Sequence, residues 1–119
     1  MSSLWVFIGG GVGSLCRYYT GIWLGHGGQF PLGTWIANIL SCIILGILLA
    51  AASRQWLAPE YRFLLITGFC GGFSTFSTFS NEMLQMLRGG MWSMAAVYLL
   101  SSLAGGLLSV WLGMRIVGE

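Results

Sequence analysis

Residues 68–82 read Gly68-Phe69-Cys70-Gly71-Gly72-Phe73-Ser74-Thr75-Phe76-Ser77-Thr78-Phe79-Ser80-Asn81-Glu82. Three glycines, Gly68, Gly71 and Gly72, precede five hydroxyl residues, Ser74, Thr75, Ser77, Thr78 and Ser80. Such a run makes a poor continuous helix and predicts a break. A broken backbone frees carbonyls that can coordinate a cation and N–H groups that can meet an anion. The bland alternative is a glycine-kinked helix whose Ser and Thr hydroxyls bond their own i−4 carbonyls. Phe73, Phe76 and Phe79 recur every three residues, so on an α-helix each lies about 60° round from the last. A phenyl ring is positive at its edge. Edges turned inward would support a small desolvated anion beside the hydroxyl donors; turned the other way, the same stripe is ordinary packing.

Other polar residues extend this chemistry. Asn38 offers two amide donors. Arg17 lies well inside an apolar stretch, where a centred Arg costs about 2.5–3.5 kcal/mol on insertion scales. It either snorkels to the interface or sits in a water-filled vestibule that attracts anions. Tyr98, Ser102 and Ser109 form a polar stripe at helical spacing. None of these groups makes an acid–base pair, and no bond-breaking chemistry is suggested. Cys16, Cys42 and Cys70 match no zinc or thioredoxin spacing and read as small packing residues.

The elements that must position these residues follow from composition. The chain has 119 residues, 56% hydrophobic and 7% charged, against roughly 25% charged in an average soluble domain. A chain this short leaves much of its surface exposed, and five Arg with three Glu cannot keep that surface in water. A net charge of +2 is too little for a nucleic-acid patch, so no nucleic-acid partner is expected. The surface faces a lipid bilayer or partner chains.

Long uncharged runs lie before Arg17 and between Arg17 and Arg54, Arg62 and Glu82, and Arg88 and Arg115. The second run is divided by Gly25-His26-Gly27-Gly28-Gln29-Phe30-Pro31. Since about 20 helical residues cross a hydrocarbon core, the pattern predicts an all-α membrane protein. Four transmembrane helices are expected near 3–24, 32–52, 60–86 and 91–115, forming a single domain over 1–119. Met1-Ser2-Ser3 has no basic n-region, and no small-x-small cleavage site follows the first apolar run, so a removable signal is not expected.

With the amino terminus inside, Arg54, Arg62 and Arg115 fall on the inner side, against Arg88 and Arg17 outside, a weak positive-inside bias. Such a chain suits insertion both ways up and pairing as an antiparallel dimer, although a marginal count also occurs in single-orientation proteins. Small residues recur at helical spacing: Gly9 and Gly13; Cys42, Gly46 and Ala50; Ser101, Gly105 and Ser109. They let backbones approach closely in lipid, within one chain or between two.

The strings GGGVGSLCRY at 9–18, PLGTWIAN at 31–38 and GFCGGFSTFSTFSNE at 68–82 resemble the Fluc (CrcB) family of bacterial fluoride channels, in order and spacing over nearly the whole chain. Two positions depart from the family pattern. Ser74 stands at a usual Thr, and Ser41 stands where the family commonly has Gly three residues after its Asn.

The resemblance implies a dual-topology, antiparallel homodimer with a broken third helix and two fluoride pores along the subunit interface. It implies a multi-pass protein of the bacterial inner membrane that passively exports fluoride and relieves its toxicity. It further implies a central structural Na⁺ held by the backbone carbonyls of Gly71 and Ser74 from both subunits. Phe76 and Phe79 map to the pore phenylalanines, Asn38 to the pore Asn and Arg17 to the vestibule Arg. Ser77, Thr78, Tyr98 and Ser102 map to pore-side hydroxyls. Glu82 aligns with a family acidic residue whose role is left open. A small multidrug or cation exporter also has four helices and dual topology, but it needs a carboxylate in helix one, where this chain has only Arg17. A purely structural membrane subunit would explain the composition but not the ordered motifs.

Overall fold

The computed structural model describes residues 2–24 and 30–118, and within them the chain is helical. Of the Gly-rich turn, residues 25–29 lie outside the described residues. Helix α1 covers Ser2–Leu24 and α2 covers Leu32–Ser53. The third segment is made of pieces. A turn at Pro59–Tyr61 leads into a π-helix at Arg62–Cys70 and a further turn at Gly71–Phe73; together these form α3, residues 59–73. Helix α4 then runs Phe76–Arg88, and α5 runs Trp92–Val117.

Among the described residues, three helical stretches are long and apolar enough to cross a membrane: Leu32–Ser53, Pro59–Arg88 and Trp92–Val117. Helix α1 has a spanning length of 23 residues, but its glycines, Arg17, Tyr18 and Tyr19 dilute its hydropathy. The apolar distribution supports a bilayer setting. Among the described residues, those under a tenth exposed are mainly small, Ala37, Ala50, Ala51 and Ser41 among them, and the only large side chain under 2% exposed is Tyr98. Leu100, Leu103, Leu107 and Trp111 on α5 are more than half exposed. Small residues inside and large apolar residues outside suit helices packed in lipid, where no hydrophobic force drives side chains inward.

The small-residue stripes serve contacts within the chain. Helix α1 packs chiefly on α3 and α2 chiefly on α5. A Cβ at Gly13 would lie 2.8 Å from Phe73 N, and one at Gly46 would run into the Val110 carbonyl and lie 3.0 Å from Met114 N. Gly9 likewise abuts the Leu64 carbonyl. Gly46→Ala is therefore expected to destabilise the subunit by roughly 1–3 kcal/mol through overpacking, seen as a lower thermal midpoint in detergent. Gly11→Ala, whose Cβ meets nothing within 4 Å, makes the same helix-propensity change and should not lower it.

The π-helix over 62–70 departs from the expected α-helical geometry of this segment. Gly68 lies against Val6 O and the Gly9 Cα, and Gly72 against the Gly10 backbone, so the wider turn sits where α3 meets α1 backbone to backbone. Apolar periodicity carries no signal for it, because the contact is made by residues with no side chain.

Candidate anion pathway and cation-binding carbonyls

The helical path stops at Phe73 and resumes at Phe76. Ser74 and Thr75 are extended, at φ −84°, ψ 156° and φ −152°, ψ 123°. An extended pair in an apolar environment leaves backbone polar groups that need partners. Asn38 on α2 supplies them for Thr75. Its Oδ1 accepts from Thr75 N–H at 2.9 Å, and its Nδ2 donates to Thr75 O at 3.4 Å. One amide hydrogen of Asn38 is left over.

Thr75 then acts as the N-cap of α4. Its Oγ1 accepts from Thr78 N–H at 3.3 Å, a role for which Thr is well suited. The same hydroxyl donates to Thr78 Oγ1 at 3.2 Å and lies 3.4 Å from Ser77 Oγ.

These caps have a consequence for two carbonyls. In an unbroken helix Thr75 N–H would bond Gly71 O and Thr78 N–H would bond Ser74 O, by i→i−4 pairing. Here the first donor goes to Asn38 and the second to Thr75 Oγ1. Among the described residues, the Gly71 and Ser74 carbonyls thus lose their helical donors. Gly71 is also exposed, with nothing within 4 Å of a Cβ built on it. Among the described residues no cluster of three or more His, Cys, Asp or Glu side chains could hold a metal. Backbone oxygens freed in this way are hard donors of the kind that could hold a hard cation.

Beside the break is a cleft of about 250 Å³ lined by Asn38, Ser74, Thr75, Phe76, Phe79, Ser102 and Leu103. Five of the residues singled out from sequence meet there: Asn38, Ser74, Phe76, Phe79 and Ser102. The Phe76 and Phe79 centroids are 6.0 Å apart with planes tilted 33°. Phe79 rests on Tyr98, at 4.8 Å, whereas Phe76 is 79% exposed.

A second cleft, of about 400 Å³, is lined by Arg17, Tyr18, Gly21, Ile22, Pro31, Gly33, Thr34, Thr78 and Glu82. Arg17 does not simply reach for the interface. Its Nε donates to Gly72 O at 3.1 Å, placing a guanidinium at the carbonyl end of α3, where positive charge is favoured.

The remaining residues are dispersed. Tyr98 lines neither cleft; it is fully buried, and its hydroxyl donates to Glu82 Oε1 at 2.9 Å. Ser109 is buried as well, so Tyr98, Ser102 and Ser109 do not form one open stripe. Ser77 is exposed and borders neither cleft.

Sequence reasoning missed Thr34 and the bond from Ser41. Thr34 Oγ1 donates to Glu82 Oε2 at 3.1 Å, so each Glu82 oxygen has a hydroxyl donor. Ser41 Oγ donates to Cys70 O at 3.2 Å. A carboxylate in an apolar stretch signals that donors must exist, without saying which helix brings them.

Residues 4–114 match the family model described as CrcB-like protein, Camphor Resistance (CrcB). A protein of Phocaeicola vulgatus named fluoride-specific ion channel FluC is 44% identical over 114 residues, 94% of each chain. The protein of that name from Acidobacterium capsulatum is 42% identical over 122 aligned positions, covering 100% of this chain and 97% of its own. That from Methylobacillus flagellatus is 41% identical, covering 94% and 91%. With a family model spanning nearly its whole length and relatives of this similarity, the chain belongs to the CrcB family.

Proposed function

We propose that this chain is a fluoride-selective channel of the bacterial inner membrane, crossing the bilayer four times as one helical domain and working as an antiparallel homodimer. The observation that carries the reading is the cleft beside the break. It brings an amide, hydroxyls and two phenyl rings together on the outside of one subunit, with Phe76 largely uncovered. A second copy laid against that face would close the cleft into a path.

Fluoride is small and strongly hydrated, so entry requires donors to replace water. The spare Asn38 amide hydrogen, the Ser102 hydroxyl and the phenyl edges do this without a full positive charge that would trap the ion. Conduction needs binding firm enough for entry and weak enough for exit. Chloride is larger and a weaker acceptor, and the same path disfavours it. Arg17 and Thr78, in the neighbouring cleft, form the vestibule that draws anions in. Tyr98 acts at one remove, by fixing Glu82 beside Thr78. Passive flow down the gradient then clears fluoride from the cytoplasm.

The Gly71 and Ser74 carbonyls, which lose their helical donors among the described residues, fit a structural Na⁺. Gly71 O and Ser74 O of each subunit would supply four oxygens about a two-fold axis, and the ion would hold the two breaks together. Ser in place of Thr at position 74 leaves that ligand set intact, because the ligand is the backbone.

Purified protein in liposomes is expected to release fluoride rapidly, read by a fluoride electrode, with negligible chloride release. A folded dimer that releases neither ion overturns the channel reading.

A further inference from the structure

Ser41 lies on α2 one turn beyond Asn38, is 3% exposed, and directs its hydroxyl at the Cys70 carbonyl, 3.2 Å away. That carbonyl also accepts from Ser74 N–H at 3.1 Å and Ser74 Oγ at 2.8 Å. A carbonyl offers two lone pairs, so three donors saturate it. On the far side of the break, Asn38 holds both backbone groups of Thr75. The stretch 71–74, which carries both carbonyls that lose their helical donors, is thus suspended between one anchor at Cys70 and another at Thr75, and both anchors stand on the same helix.

We propose that Ser41 is a positioning residue for the central cation: with Asn38 it forms a two-point clamp from α2 that fixes where the Gly71 and Ser74 carbonyls stand. This rests on the cation reading above. A ligand cage works only if its oxygens are held within about half an ångström of their places by supporting bonds. The fold itself does not need Ser41. If its hydroxyl is removed, Cys70 O still has both Ser74 donors, and no buried donor or acceptor is orphaned, so the stability cost expected of an unsatisfied group does not arise. Ser41 can therefore be separated from a packing residue. A chain with Gly at this position would hold Cys70 from one side only.

The test compares wild type, Ser41→Ala, Ser74→Ala and the double variant as purified dimers, measuring equilibrium binding of radioactive sodium alongside thermal midpoint and fluoride efflux at saturating Na⁺. Ser41→Ala should raise the half-saturating Na⁺ concentration about fivefold, the equivalent of one ordinary hydrogen bond. Its midpoint and its saturated efflux should stay near wild type. The double variant should shift by more than the two single effects combined, because both hydroxyls serve one carbonyl.

Unchanged Na⁺ binding in Ser41→Ala overturns the clamp. A parallel loss of stability, assembly and saturated efflux overturns positioning in favour of packing, and Ser41→Gly should then behave the same way. Wild-type protein that conducts fluoride but binds no Na⁺ overturns the cation reading and the clamp with it. Wild type that binds Na⁺ but passes no fluoride overturns the channel reading and leaves the clamp standing.

Discussion

Asn38→Asp should abolish fluoride efflux, lowering it at least about a hundredfold, while the dimer still assembles. The substitution keeps the oxygen that accepts Thr75 N–H at 2.9 Å. It replaces the Nδ2 donor with a second oxygen facing Thr75 O, where the amide now bonds at 3.4 Å. Two acceptors then oppose each other, and a full negative charge lines the cleft that fluoride is proposed to enter. Like charges about 4 Å apart at an effective dielectric of 20 repel by about 4 kcal/mol, more than enough for the predicted loss. Efflux from liposomes measures the effect, with size-exclusion chromatography reporting assembly. Efflux at the wild-type rate would remove Asn38 from the path.

Phe76→Ile should slow fluoride efflux about tenfold, the scale of an edge-on aromatic contact, and leave assembly unchanged. Isoleucine keeps the apolar bulk but lacks a positive ring edge. Phe76 is the cleaner choice of the two rings because it is 79% exposed in the subunit. Replacing Phe79 would also remove the ring resting on Tyr98 at 4.8 Å and so disturb the tyrosine that holds Glu82. Wild-type throughput in Phe76→Ile would end the aromatic-edge proposal; equal losses for fluoride flux and for dimer yield would point to packing instead.

Much of this molecule was legible because its signals are local. Charge-free runs and their lengths mark an all-helical chain suited to a membrane, and glycines followed by hydroxyls mark the place where α3 gives way to α4. Asn38 and Ser102 could be picked out because polar groups in apolar helices need partners, and Phe76 because it belongs to a phenylalanine repeat at three-residue spacing. What stayed hidden depends on contacts between distant residues. Thr34 and Glu82 are 48 positions apart, and no periodicity tells a threonine which carboxylate it will meet. The stripe of Gly9 and Gly13 has the same spacing whether it packs within a chain or between chains; only the fold shows it against α3. Arg17 reads as a snorkelling or vestibule cation, and its bond to Gly72 O is made only once α1 has docked against the end of α3. The π-helix is set by backbone contact and leaves no trace in side-chain pattern.

The order of helices along the chain bears on how the protein enters the bilayer. The amide that satisfies Thr75 sits on α2, upstream of the break it serves. During synthesis from the amino terminus, α2 is therefore already in the membrane when residues 74 and 75 leave the insertion machinery. The unpaired N–H and C=O of Thr75 can pass from an aqueous passage to Asn38 without a stage in bare hydrocarbon, where each would cost several kcal/mol. A circular permutant that delivers α3 and α4 ahead of α2 would keep every residue and lose that sequence of events, so its insertion efficiency should fall although its finished fold is the same.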